Sequence, residues 1–194
     1  MDKKEILRYM RTKSSVNDER LLAMIDDAMA EINSVCEPKS VYRVFDCEVT
    51  ETTVKAGGFE FESRRLAQNL AGCTKVALLA ATVGVKGDML LRKYSADGAM
   101  LLIMQAALAS KIEEVCDSLQ SEIEKNEGVK TRQRYSPGYF DLDITEQKKI
   151  FAMMDITKRC GITLSGTCQM IPTKSVTALS LIHISEPTRL RRIS

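Results

Sequence analysis

Lys75-Val-Ala-Leu-Leu-Ala-Ala-Thr-Val83-Gly84 carries one charge, at its first residue, and ends on glycine. An apolar run of that length predicts a central strand covered on both faces. After it, Gly84-Val-Lys-Gly87 predicts a tight strand-to-helix turn leading into a short helix over 89–94. The longest helical pattern follows Asp97-Gly98 and covers 99–126. Its first half (Met100, Leu101, Leu102, Ile103, Met104) is apolar almost all round, which predicts burial on most sides, and its second half is charged on one face. Upstream, residues 3–11 form a short amphipathic pattern. Asn17 or Asp18 is placed to cap a helix in which Leu21, Ile25, Met29 and Ile32 recur at helical spacing until Pro38 ends it. Residues 41–61 are β-rich, with Gly57-Gly58 as a turn, and Ser63 is placed to cap a helix through Leu70. Downstream come a polar loop (129–144), a helix from Thr145 to Met154, two short strands (161–164 and 168–171) and a strand opening at Ser175. Strands and helices in no regular alternation predict an α+β domain over 1–178, a mixed or antiparallel sheet flanked by helices.

The 194 residues are 44% apolar and 28% charged, which suits one globular core. No run approaches the ~18 apolar residues of a membrane span. The start, Met1-Asp-Lys-Lys-Glu-Ile-Leu-Arg8, lacks the apolar stretch of a secretory signal, so a cytoplasmic protein is expected. Six widely spaced cysteines, with no Cys-x-x-Cys pair, read as buried thiols and exclude a zinc finger.

Leu179-Ser-Leu-Ile-His-Ile-Ser-Glu-Pro-Thr-Arg189 resembles the in-frame translation of a transposase-library sequencing adapter, eleven codons in a row. Residues 179–194 are therefore set aside as foreign, and the natural sequence is expected to stop being represented after Ala178. The chain's one histidine, His183, falls in that stretch, so the remainder offers none for Ser-His or Cys-His chemistry. Without the stretch the net charge falls from +2 to zero. A neutral body with 5% aromatics and no tryptophan argues against nucleic acid as a partner.

Three segments have chemical potential. The glycines of Gly84-Val-Lys-Gly87 match neither a dinucleotide nor a P-loop spacing, and a tight turn accounts for them. Glu113 and Glu114 lie where the apolar half of the long helix gives way to the polar half. They read as a solvated face, or with Glu114 as a polar contact to a ligand at the edge of the buried surface. Arg134-Tyr-Ser-Pro-Gly-Tyr139 fits a type II turn, with proline second and glycine third. It brings an arginine, a natural clamp for a carboxylate, near a tyrosine and outward-facing amides. The residues alone leave two readings, an exposed loop or a site for a carboxylate or nucleotide.

Arg134-x-x-x-Gly138-Tyr139, followed by Thr145-Glu146, Gly161-Ile-Thr-Leu164 and Pro172-x-x-Ser175-Val176, resembles the activation domain of cobalamin-dependent methionine synthase. Ala107-Leu-Ala-Ser-Lys-Ile-Glu-Glu114 matches that family's long helix, so the motif-bearing part is 107–178. Leu70-Ala-Gly-Cys73 and Ala80-Ala-Thr-Val-Gly84 look like the short stand-alone members. The resemblance implies binding of S-adenosylmethionine, with Arg134 on the methionine carboxylate, Ser136, Gly138 and Tyr139 as turn contacts, and Glu114 as a polar contact.

It further implies reductive reactivation, with cobalamin carried by a partner protein. A flavodoxin-like or ferredoxin-like donor reduces cob(II)alamin, and the sulfonium methyl then traps the reduced cobalt as methylcobalamin. The synthase modules would act in trans, because this chain has none. A docking module that does not use the cofactor, or a reactivator of another corrinoid methyltransferase, are the alternatives. The sequence departs from the family at Phe140-Asp141-Leu142, which replaces a more usual Pro-Ala. The family's early aspartate has no counterpart, and its late tyrosine falls beyond Ala178.

Overall fold

The computed structural model describes residues 1–12 and 18–183. The elements run α1 (Lys3–Tyr9), α2 (Glu19–Val35), β1 (Lys39–Val49), β2 (Thr53–Ala56), β3 (Phe59–Glu62), α3 (Arg64–Leu70), β4 (Lys75–Thr82), α4 (Val85–Lys93) and α5 (Gly98–Glu127). Then follow β5 (Lys130–Thr131), a 3₁₀ turn (Ile144–Glu146), α6 (Gln147–Met154), α7 (Ile156–Cys160), β6 (Thr163–Leu164), β7 (Met170–Ile171) and β8 (Ser175–His183).

The apolar run is strand β4, and it is central. The main sheet has the order β3-β2-β1-β4-β8-β5 with every neighbouring pair antiparallel. The two-residue period of β4 divides the core. Val76, Leu78 and Ala80 face a cluster with Leu66, Leu70 and Ile150, whereas Ala77, Leu79 and Ala81 face the side of α5 and α2. Helices on both faces explain why an antiparallel strand reads as continuously apolar. A small β6–β7 hairpin stands apart from this sheet.

Capping sets the helix starts. Asp18 accepts from the amides of Arg20 and Leu21 at the head of α2, Ser63 from Leu66 at the head of α3, and Asp97 from Ala99 and Met100 at the head of α5. Asn17, the other candidate cap, lies outside the described residues. Gly128, in the left-handed region at φ +65°, ends α5.

The structure corrects one expectation. Helix α4 begins at Val85, so Gly84-Val-Lys-Gly87 is a helix start and not a loop preceding one. Gly84 has φ +87°, and a Cβ there would stand 3.0 Å from the Glu37 carbonyl oxygen, so close backbone packing accounts for it. The first half of α5 is buried on most sides, and Leu102, 51% exposed, faces water. Strand β8 continues past Ala178 to His183, and Leu179 is fully buried opposite Leu78. Residues 184–194 lie outside the described residues.

Candidate functional site

A divergence of strands makes the site. Strand β8 pairs with β5 only through Ile182 and His183, and with Tyr135 through Leu179. Two hydrogen bonds make that bridge, Tyr135 N–H to the Leu179 carbonyl (2.9 Å) and Leu179 N–H to the Tyr135 carbonyl (2.8 Å). Beyond it the chain swings away into Ser136-Pro137-Gly138-Tyr139. The outer edge of β8 from Ser175 to Ala178 then has no strand partner among the described residues. A trough of about 670 Å³ opens there, bounded by α5, the turn, the start of α6 and β8, a size that suits a small-molecule ligand.

The turn is held at both ends. Tyr139 N–H donates to the Ser136 carbonyl (3.3 Å) and Gly138 sits at φ +88°, as a type II turn requires. Leu142 is buried beyond the turn, and its carbonyl accepts from Gly138 N–H (2.8 Å). Asp141 ties the loop to α3, accepting from Ser63 Oγ (2.6 Å), Arg65 N–H (3.1 Å) and the Tyr135 hydroxyl (3.1 Å). The Ser63 hydrogen bond, ahead of the others, depresses the Asp141 carboxyl to about 2. Phe140, with φ +54°, stacks on Tyr135 and lies under the Arg65 guanidinium. The departure Phe140-Asp141-Leu142 thus builds the anchor of the turn.

Arg134 lines the trough and is largely withdrawn from water. Nη1 donates to Asp117 (2.7 Å) and Gln120 (2.9 Å), and Nη2 donates to Glu113 (2.7 Å). Burial opposes its charge, but Asp117 and Glu113 outweigh that and hold the guanidinium above its ordinary value. Of its five N–H groups, Nε and the second hydrogen of Nη2 have no partner among the described residues. Nε stands on the side of the guanidinium that it shares with Nη2, the side by which an arginine grips a carboxylate.

Of the expected residues, Arg134, Ser136 and Tyr139 line the trough. Gly138 does not. Its amide is turned into the loop, and its part is the left-handed conformation of the turn. Glu114 also lies elsewhere, paired with the Met1 ammonium (2.7 Å) and Lys111 (3.4 Å). One residue along a helix turns a side chain by about 100°, so Glu113 and not Glu114 faces Arg134. The sequence reading missed Asp117 and Gln120, although Glu113, Asp117 and Gln120 follow helical spacing on one face. It also missed Gln147 and Thr177, which line the trough as buried residues.

Other chemistry is sparse. Burial pushes Cys47 up to about 11 and Cys116 up to about 12, so neither offers a thiolate near neutral pH. Among the described residues no His, Cys, Asp and Glu cluster could hold a metal ion, and no helix is long and apolar enough to cross a membrane.

Residues 66–187 match the protein family described as vitamin B12 dependent methionine synthase, activation domain. The chain belongs to that family. Among solved structures the fold matches the crystal structure of the MetH reactivation domain bound to AdoHcy, with a TM-score of 0.70. That match has 16% identity and covers 93% of this chain and 70% of the other, so it speaks to the fold. Comparison with the curated proteins finds no match. Membership explains why the Arg134–Tyr139 turn, the long helix and the Pro172–Val176 segment converge. In this activation-domain fold the three meet around the trough.

Proposed function

We propose that this activation domain binds S-adenosylmethionine in the trough and presents its methyl group to the corrinoid of a cobalamin-dependent methionine synthase acting in trans. The observation that carries the proposal is the half-free Arg134. Its unpaired Nε suits the amino-acid carboxylate, and Glu113 and Asp117 beside it suit the α-ammonium. One arginine and two carboxylates leave this end of the trough net negative, which complements a ligand whose sulfonium and ammonium outnumber its carboxylate. The unpaired edge of β8 and the apolar faces of Tyr139 and Met170 leave room for the nucleoside.

When bound, the ligand supplies an electrophilic sulfonium methyl to cobalt that a flavodoxin-like or ferredoxin-like donor has reduced. The chain's own residues position it. Arg134 fixes the amino-acid end, its acidic partners hold the guanidinium in place, and the doubly anchored turn keeps the wall of the trough from yielding. No side chain in the trough is required to act as acid or base.

Calorimetric titration with S-adenosylmethionine tests this. Wild type is expected to bind, more tightly than it binds the uncharged-sulfur product, and Arg134→Ala is expected to lose at least tenfold in affinity. A wild type that releases no heat, or an Arg134→Ala variant that binds equally well, overturns the proposal.

A further inference from the structure

Two buried polar atoms on the trough wall have no partner among the described residues. Oε1 of Gln147 is one, in a residue 4% exposed at the first position of α6, and Oγ1 of Thr177 is the other, in a residue 1% exposed on β8. A buried acceptor or hydroxyl left unpaired is costly, and native proteins seldom keep two in the lining of one trough without a use. Both belong to the lining of the same trough as Arg134.

The main chain adds a third feature. Leu179 directs both its N–H and its carbonyl outward to Tyr135, and the two-residue alternation of an antiparallel strand makes Thr177 do the same. No strand meets Thr177 on that side among the described residues. The lining of the trough therefore includes a donor and an acceptor fixed in the backbone, a hydroxyl, and a side-chain amide with donor and acceptor ends. A flat ligand edge that alternates donor and acceptor satisfies such a set. Glutamine is the side chain that pairs in bidentate fashion with an adenine edge.

We infer that Gln147 and Thr177 read the hydrogen-bonding edge of the purine base, and so set the trough's preference for an adenine nucleoside. The inference rests on the trough being the nucleoside site proposed above. It places the base at the α6–β8 end and the amino acid at the α5 end. Neither residue touches the reacting methyl. They select and orient.

The test is calorimetric titration of the full chain with S-adenosylhomocysteine and with S-inosylhomocysteine, in which a carbonyl replaces the amino group and the ring nitrogen beside it is protonated. Wild type is expected to favour the adenine compound by at least tenfold. Gln147→Met, of similar length, is expected to lose about tenfold for that compound and to bring the two ligands within threefold of each other, without a fall in thermal midpoint. Thr177→Val, alike in shape, is expected to lose at least fivefold, again without a fall in midpoint.

A wild type that binds both nucleosides equally overturns the inference while leaving the proposed function standing, provided Arg134→Ala still loses at least tenfold in affinity. Equal weakening of both ligands by Gln147→Met, together with a lowered midpoint, marks a structural role and also overturns it. A wild type that binds neither nucleoside overturns the proposed function and the inference with it.

Discussion

Asp141→Asn loosens the turn that forms the wall of the trough, and its size and pH dependence follow from the contacts. The carboxylate accepts three hydrogen bonds, from Ser63 Oγ, Arg65 N–H and the Tyr135 hydroxyl. An amide keeps one acceptor oxygen, loses the charge and turns a donor toward groups that are themselves donors. Hydrogen bonds to a charged group contribute about 1.5–3 kcal/mol where shielded, and exposure of Asp141 to water brings the expected loss down to about 1 kcal/mol. The folded-state pKa is about 2 against an ordinary 3.8, a depressed carboxyl. Its contribution is therefore fully present above about pH 4 and is lost as pH falls through about 2. Urea denaturation of wild type and Asp141→Asn should give a constant difference from pH 7 to 5 that closes between pH 4 and 2. A difference that stays level down to pH 2 refutes the reasoning, because a neutral Asp141 would then anchor the loop as well as a charged one.

Other perturbations separate the roles of neighbouring residues. Gly138→Ala forces a side chain into the left-handed region and sets a Cβ 3.0 Å from Ile144 Cδ1, so denaturation should show a loss of about 1–2 kcal/mol. Glu113→Gln removes an ion pair from Arg134 and should weaken S-adenosylmethionine by about fivefold in calorimetry. Glu114→Gln, turned away from Arg134 and paired with the Met1 ammonium, should leave affinity within twofold. Ser180 is fully buried, and its hydroxyl has no partner among the described residues. Ser180→Ala should stabilise the fold by about 1 kcal/mol, read as a rise of roughly 2–4 °C in the thermal midpoint. That unpaired hydroxyl lies in the stretch after Ala178, which we propose is foreign sequence in a native strand position.

Much of the fold is written in short-range patterns. The run from Lys75 to Val83 announces a doubly covered strand. Asp18, Ser63 and Asp97 announce helix starts, and Pro137-Gly138 announces its turn type, because each of these effects acts within a few residues. Sheet order is not local. Nothing in the sequence says that β8 lies between β4 and a two-residue β5, or that Tyr135 bridges to Leu179, and the trough exists because of that arrangement. The site was legible to the same degree. Arg134, Ser136 and Tyr139, which line the trough, share one turn, so a motif groups them. Gln147 and Thr177 come from a helix and a strand 30 residues apart, and only tertiary packing strands their polar atoms together. Facing depends on helix rotation, so Glu113 and not its neighbour Glu114 meets Arg134.

The most direct measurement is a crystal structure of the chain grown with S-adenosylhomocysteine. The account predicts the nucleoside in the trough, its carboxylate on the Nε–Nη2 edge of Arg134 and its base against Gln147 and Thr177. A nucleoside seated anywhere else, or a trough closed by Tyr139 and Phe140 with the ligand excluded, contradicts it.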